Sequence, residues 1–134
     1  MELRFSTWLN EIAAKYGDCP AITCGQMVTY TQLNTYALRF AQSLIRMGVK
    51  KGDRVVLWSV NGVDWMVSFL GTVMAGGVAV LMNYGLNGED VAQLEKLVDA
   101  SWMIVGGNKV SAVDPNAAVK AALEGASPRS IFFR

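Results

Sequence analysis

Apolar positions along this chain follow three rhythms in turn: helical spacing, short alternating or continuous runs, and helical spacing again. Trp8, Leu9, Ile12, Ala13 and Tyr16 share one helical face, with Ser6 or Thr7 available as N-cap and Gly17 as a left-handed stop. Two short runs at 21–24 and 27–30, joined through Gly25-Gln26, predict a β-hairpin. Leu33, Tyr36, Ala37, Phe40, Ala41, Leu44 and Ile45 then repeat at i, i+3, i+4, which predicts a long amphipathic helix capped by Thr31 and ended by Gly48. In this setting Tyr30, Tyr36 and Phe40 read as core rather than as a stacking platform.

From 54 onward the pattern alternates. The β-branched run 54–60 predicts a strand, Asn61 a cap with Asp64 three residues on, and Val63, Met66, Val67, Leu70, Val73 and Met74 a helix. Residues 78–82 form a continuous apolar run, as a strand buried on both faces would. Asn87 caps a further helix through Leu94, Leu97 and Val98, and 102–105 predict another strand. Strand, helix, strand, helix, strand implies right-handed crossovers and a parallel sheet. The expected fold is α/β: an N-terminal helix and β-hairpin followed by a doubly wound, mainly parallel sheet. The tail, 108–134, carries a helical pattern at 115–123 and a possible strand at 131–133.

Within this pattern, residues 65–88 carry no charged side chain. A transmembrane helix needs about 20 predominantly apolar residues, so length alone permits a membrane span. The interior argues for a helix and a separate strand. Gly76-Gly77 interrupts the apolar run, and Asn83, Gly85, Asn87 and Gly88 turn its last third into a loop.

Composition narrows the reading. The chain has 134 residues, a formal net charge of +1, 52% hydrophobic and only 17% charged residues. That suits one domain, 1–134, some of whose apolar surface expects cover from elsewhere, and it offers no electrostatic footprint for nucleic acid or anionic lipid. The first residues, with Glu2 and Arg4, lack a signal-peptide pattern, so a cytoplasmic location is expected. Cys19 and Cys24 match no zinc or redox spacing, and the chain has no His, so both read as reduced, structural thiols.

Candidate chemistry is sparse. In a doubly wound sheet ligands bind beyond the carboxyl ends of the strands, here Asn61-Gly62, 83–85 and Gly106-Gly107. None fits a nucleotide motif, and Gly106-Gly107-Asn108-Lys109 lacks the P-loop spacing. Asp64 in the first turn would oppose a phosphate at that helix N-terminus. Ser59 and Ser68 lie in no nucleophile elbow. Glu89-Asp90 open a helix, where acids suit the dipole, and Arg46, Lys50, Lys51 and Arg54 straddle a turn with Asp53 among them. Asn61 and Asn83 are left as candidate substrate-binding residues, each with a competing role in its own cap or loop. No catalytic residue and no metal ligand set is proposed.

The order of short signatures nevertheless resembles a known family. Tyr16-Gly17-Asp18 with Pro20-Ala21, Thr29-Tyr30-x-x-Leu33, the run from Gly48 through Gly52-Asp53-Arg54-Val55, Asn61 with Trp65, then Leu70-Gly71, Ala75-Gly76-Gly77-Val78-Ala79-Val80 and Asn83 resemble the N-terminal part of adenylate-forming (AMP-binding) enzymes. These include acyl-CoA synthetases, firefly luciferase and peptide-synthetase adenylation domains. The resemblance spans roughly 5–107 and looks most like a bacterial fatty-acid–CoA ligase. It implies ATP-dependent activation of a carboxylic acid through an acyl-adenylate with magnesium, then transfer to CoA. The phosphate loop, ribose-binding Asp, hinge and catalytic Lys of such enzymes all lie downstream of the matched region. The resemblance therefore implies an N-terminal portion of a larger enzyme that binds no ATP, Mg or CoA by itself and whose partner is the remainder of that enzyme. The alternative is a free-standing α/β interaction module that self-associates through exposed apolar surface. Tyr84 departs from the family, which often has Pro there.

Overall fold

The computed structural model describes residues 4–23, 25–106 and the backbone of 129–132. The chain divides into two compact units, one made of residues up to Lys51 together with Asn61–Gly77, the other of Gly52–Val60 together with residues from Val78 onward.

The first unit contains α1 (Phe5–Tyr16), β1 (Pro20–Ile22), β2 (Val28–Thr29), α2 (Tyr30–Met47) and α3 (Val63–Met74). Its core joins Leu9 of α1, Val28 of β2, Leu33 and Ala37 of α2 and Leu70 of α3. Helix α2 is the best capped. Thr29 Oγ1 accepts from Gln32 N at 3.2 Å while Gln32 Oε1 accepts from Thr29 N at 2.9 Å, a reciprocal capping box. The cap is thus Thr29 rather than Thr31, because the helix begins two residues earlier, at Tyr30. Gly48 closes it in the left-handed conformation, φ 110°, as its position in the sequence implies.

Helix α1 departs from expectation at both ends. Its N-cap is Arg4, without a side-chain hydrogen bond, so Ser6 and Thr7 lie inside the helix. Gly17 is right-handed, φ −36°, and is needed for space: a Cβ there would lie 2.7 Å from Thr31 Oγ1 and 2.9 Å from Ala13 O. That close approach lets Thr31 N donate to Gly17 O at 3.1 Å, tying the two helices together. The hairpin pairs Pro20 with Thr29 and Ile22 with Val28, so the connection is longer than Gly25-Gln26 and Met27 stands outside the ladder, 64% exposed. Helix α3 starts at Val63 with Gly62 as N-cap and no side-chain cap. The expected Asn61 cap does not form because Asn61 sits one residue too early, and Asp64 alone answers the helix dipole.

The second unit holds β3 (Arg54–Trp58), β4 (Val78–Leu81), α4 (Gly88–Val98), β5 (Trp102–Val105) and β6 (Arg129–Phe132). The strands form one parallel sheet in the order β4-β3-β5-β6. The chain leaves β3 first to one side and then to the other, which is the doubly wound arrangement. Central position explains the burial of β3, in which Val55, Val56, Leu57 and Trp58 are all at most 1% exposed. Val56, Trp58, Met103, Val105 and Val91 of α4 form one cluster. Full burial of each such side chain contributes about 1.5–3 kcal/mol.

Two expectations are corrected here. β4 is not buried on both faces: it is the edge strand, with Val78 49% and Leu81 53% exposed. β3 ends at Trp58 rather than at residue 60, and Val60 is already half-exposed. Asn87 caps α4 as expected, its Oδ1 accepting from Asp90 N at 2.9 Å. The expected helix at 115–123 lies outside the described residues. β6 overlaps the run expected at 131–133, and Phe133 lies outside the described residues. The uncharged stretch 65–88 splits into α3 and β4 at Gly76, φ 87°. Among the described residues no helix is long and apolar enough to cross a membrane.

Candidate functional site

In the second unit the switch in winding direction falls between β3 and β5, so the ligand-binding position of this architecture lies beyond Trp58 and Val105. Gly106 N donates to Trp58 O at 3.1 Å, which holds the two strand ends together. Ser59 follows, 5% exposed, with its Oγ donating to Val60 O at 3.3 Å. On the other side of β3, Met82 N donates to Leu57 O at 3.0 Å and leads into Asn83. The residues leaving these strands, Ser59, Val60, Met82, Asn83, Tyr84 and Gly106, include no charge.

The two candidate residues occupy different settings. Asn83 is exposed, and its Oδ1 accepts from Gly85 N at 2.8 Å while its carbonyl accepts from Leu86 N at 3.1 Å. This is an Asx-type turn that supports the loop after β4. Asn61 is exposed, belongs to the other unit and makes no side-chain hydrogen bond to a described residue. Ser68, read from sequence as lying in no nucleophile elbow, is buried in α3 and donates to Asp64 O one turn earlier.

Charged groups gather at the opposite end of the sheet. Asp53 Oδ2 accepts from Trp102 Nε1 at 3.2 Å, and Arg54 Nη1 donates to Val98 O at 3.0 Å, where it satisfies a carbonyl of the last turn of α4. Both are fastenings between neighbouring elements. Glu95 went unnoticed in the sequence: burial of its carboxyl on α4 pushes its pKa up from 4.5 to about 7. The signal was present, since Glu95 lies at i+4 from the buried Val91 and three residues before Val98 on the core-facing side of the helix.

A nucleoside triphosphate with magnesium does not fit what the described residues offer. Among the described residues no Lys or Arg stands at the carboxyl ends of the strands, and no group of His, Cys, Asp or Glu could hold a metal ion. In the second unit the N-terminus of α4 is already answered by the carboxylates of Glu89 and Asp90, which would repel a phosphate. The described residues supply backbone shape and apolar wall at a ligand-binding position, without groups for phosphoryl chemistry.

The comparisons with known proteins agree with this fold. The family profile described as "AMP-binding enzyme" matches residues 9–131, so the chain belongs to the AMP-binding enzyme family. The medium/long-chain-fatty-acid–CoA ligase FadD6 of Mycobacterium tuberculosis is 36% identical over 108 residues, covering 80% of this chain and 18% of that protein. A benzoate CoA ligase from Burkholderia xenovorans LB400 superposes with a TM-score of 0.82 at 28% identity, over 99% of this chain and 26% of that one. The N-terminal domain of FACL13 from Mycobacterium tuberculosis does so with 0.84 at 26% identity, over 98% of this chain and 34% of that one. The chain spans about a fifth of the length of the curated relatives it matches.

Proposed function

We propose that this chain is the N-terminal portion of an ATP-dependent fatty-acid–CoA ligase. Its own role is structural: it supplies a doubly wound wall and two capped helices, while sequence outside it provides the groups that bind ATP, magnesium and CoA and perform adenylation. Its partner is the remainder of that enzyme, and its location is cytoplasmic. By itself the chain neither adenylates nor binds ATP. The observation that carries this reading is the agreement between a family match over residues 9–131 and the lack of a charged group among the described residues at the carboxyl ends of the strands. Asn83 then acts as a loop residue beyond the end of β4, and Asn61 as a loop residue of the other unit.

A second reading, a free-standing module that keeps the fold without the chemistry, is favoured by the exposure of Leu81 and Leu97. Isothermal titration with ATP and magnesium tests the first. Absence of saturable binding into the millimolar range is the expected result, and micromolar binding would overturn it.

A further inference from the structure

The sequence contains two Asn-Gly pairs, Asn61-Gly62 and Asn87-Gly88, and the fold treats them oppositely. Asparagine is a thermolabile side chain, and a glycine after it removes the Cβ that would hinder attack on its amide by the next backbone nitrogen. Conformational freedom then decides whether that attack occurs.

Asn87 has little of it. Its Oδ1 accepts from Asp90 N at 2.9 Å as the N-cap of α4, and its carbonyl accepts from Val91 N at 3.1 Å. Bringing its side-chain Cγ onto Gly88 N therefore breaks the cap and opens the first turn of the helix. Asn61 is exposed, and no hydrogen bond to a described residue holds its side chain, its carbonyl or Gly62 N. The first bond of α3 runs from Met66 N to Gly62 O, so the helical ladder starts after Asn61 and does not restrain it. A Cβ at Gly62 would meet nothing within 4 Å, which leaves open space beside the reacting backbone.

We propose that Asn61-Gly62 is a site of spontaneous deamidation through a cyclic imide, and that the helix cap protects Asn87-Gly88 from the same reaction. The bond from Gly62 N to Asn61 Cγ forms as the Cγ–Nδ2 bond breaks, and Nδ2 leaves as ammonia with the proton from Gly62 N. Water then opens the imide at either carbonyl, giving aspartate or isoaspartate at position 61. The new carboxylate joins Asp64 near the positive end of α3, where the helix dipole favours it, and it cancels the formal net charge of +1. In isoaspartate the main chain also gains a carbon ahead of the α3 N-cap. This inference does not rest on the ligase reading, and ATP titration is silent about it.

Incubation of the full chain in mildly alkaline buffer, followed by peptide mapping with mass spectrometry, tests it. Asn61 is expected to convert about 5–30-fold faster than Asn87, the factor that one helix cap supplies. In concentrated urea both pairs lose their surroundings, and their rates are expected to converge. Three results would each overturn the proposal: Asn87 converting as fast as Asn61 in native buffer, Asn61 keeping its amide there while the chain in urea loses it, or the excess at Asn61 persisting in urea, which would assign it to flanking sequence rather than to the fold.

Discussion

Replacing Gly71 by Ala should destabilise the first unit, against the usual direction for a helix. In a helix interior Gly→Ala is ordinarily stabilising by about 1 kcal/mol. At Gly71, however, a Cβ would stand 2.5 Å from Phe40 Cδ1, 3.1 Å from Phe40 Cβ and 3.2 Å from Ala37 O. The ring can swing aside, but Phe40 Cβ and the Ala37 carbonyl are fixed to the backbone of α2. Relief therefore requires α2 and α3 to separate, and overpacking of this kind costs about 1–3 kcal/mol. Subtracting the propensity gain leaves a net loss of about 0–2 kcal/mol. Urea unfolding monitored by circular dichroism, with the slope unchanged, gives the number. A double-mutant cycle with Phe40→Leu should show coupling of about 0.5 kcal/mol or more, because the smaller side chain opens the contact. Gly71→Ala that is more stable than wild type, with no coupling to Phe40, would refute the close helix approach.

Two further outcomes follow from particular groups. Glu95 is neutral more readily in the fold than in the unfolded chain, so its favourable contribution is complete below pH 4.5 and is lost as pH rises through about 7. Glu95→Gln should therefore stabilise the protein at pH 8 and have little effect at pH 4. A displacement from 4.5 to about 7 would amount to about 3 kcal/mol, which solvent screening of this half-exposed side chain reduces to on the order of 1 kcal/mol. Equal effects at both pH values would sink that argument. Thr29→Ala should cost about 1 kcal/mol by removing the capping box of α2, whereas Thr31→Ala, at a position inside the helix, should cost less; the reverse order in thermal melts would place the cap elsewhere.

Much of the fold was legible because the strong signals were long. The periodicity of α2, Gly48 and Asn87 as end signals, and the continuous run of β5 each follow from residues close in sequence. The departures lie where distant chain decides the matter. β4 reads as fully buried because its apolar run cannot reveal that, among the described residues, no strand pairs with its outer edge. Gly17 reads as a helix stop because the approach of Thr31 cannot be seen locally. Asn61 reads as a cap because the helix starts one residue later than an Asn61 cap implies. The site was legible chiefly as a position, beyond the strand ends, with motifs absent; Glu95 was overlooked because burial, not residue type, makes it unusual.

The proposal that this chain is the N-terminal portion of a ligase is tested most directly by transplantation. In the FadD6 ligase of Mycobacterium tuberculosis, the segment that aligns with this chain over 108 residues would be replaced by the corresponding residues from it, and acyl-CoA formation from medium- and long-chain fatty acids measured. An active chimera, with CoA thioester formed well above a ligase lacking the segment, is the expected result. A chimera that folds and binds ATP as its parent does, yet forms no acyl-CoA, would contradict it.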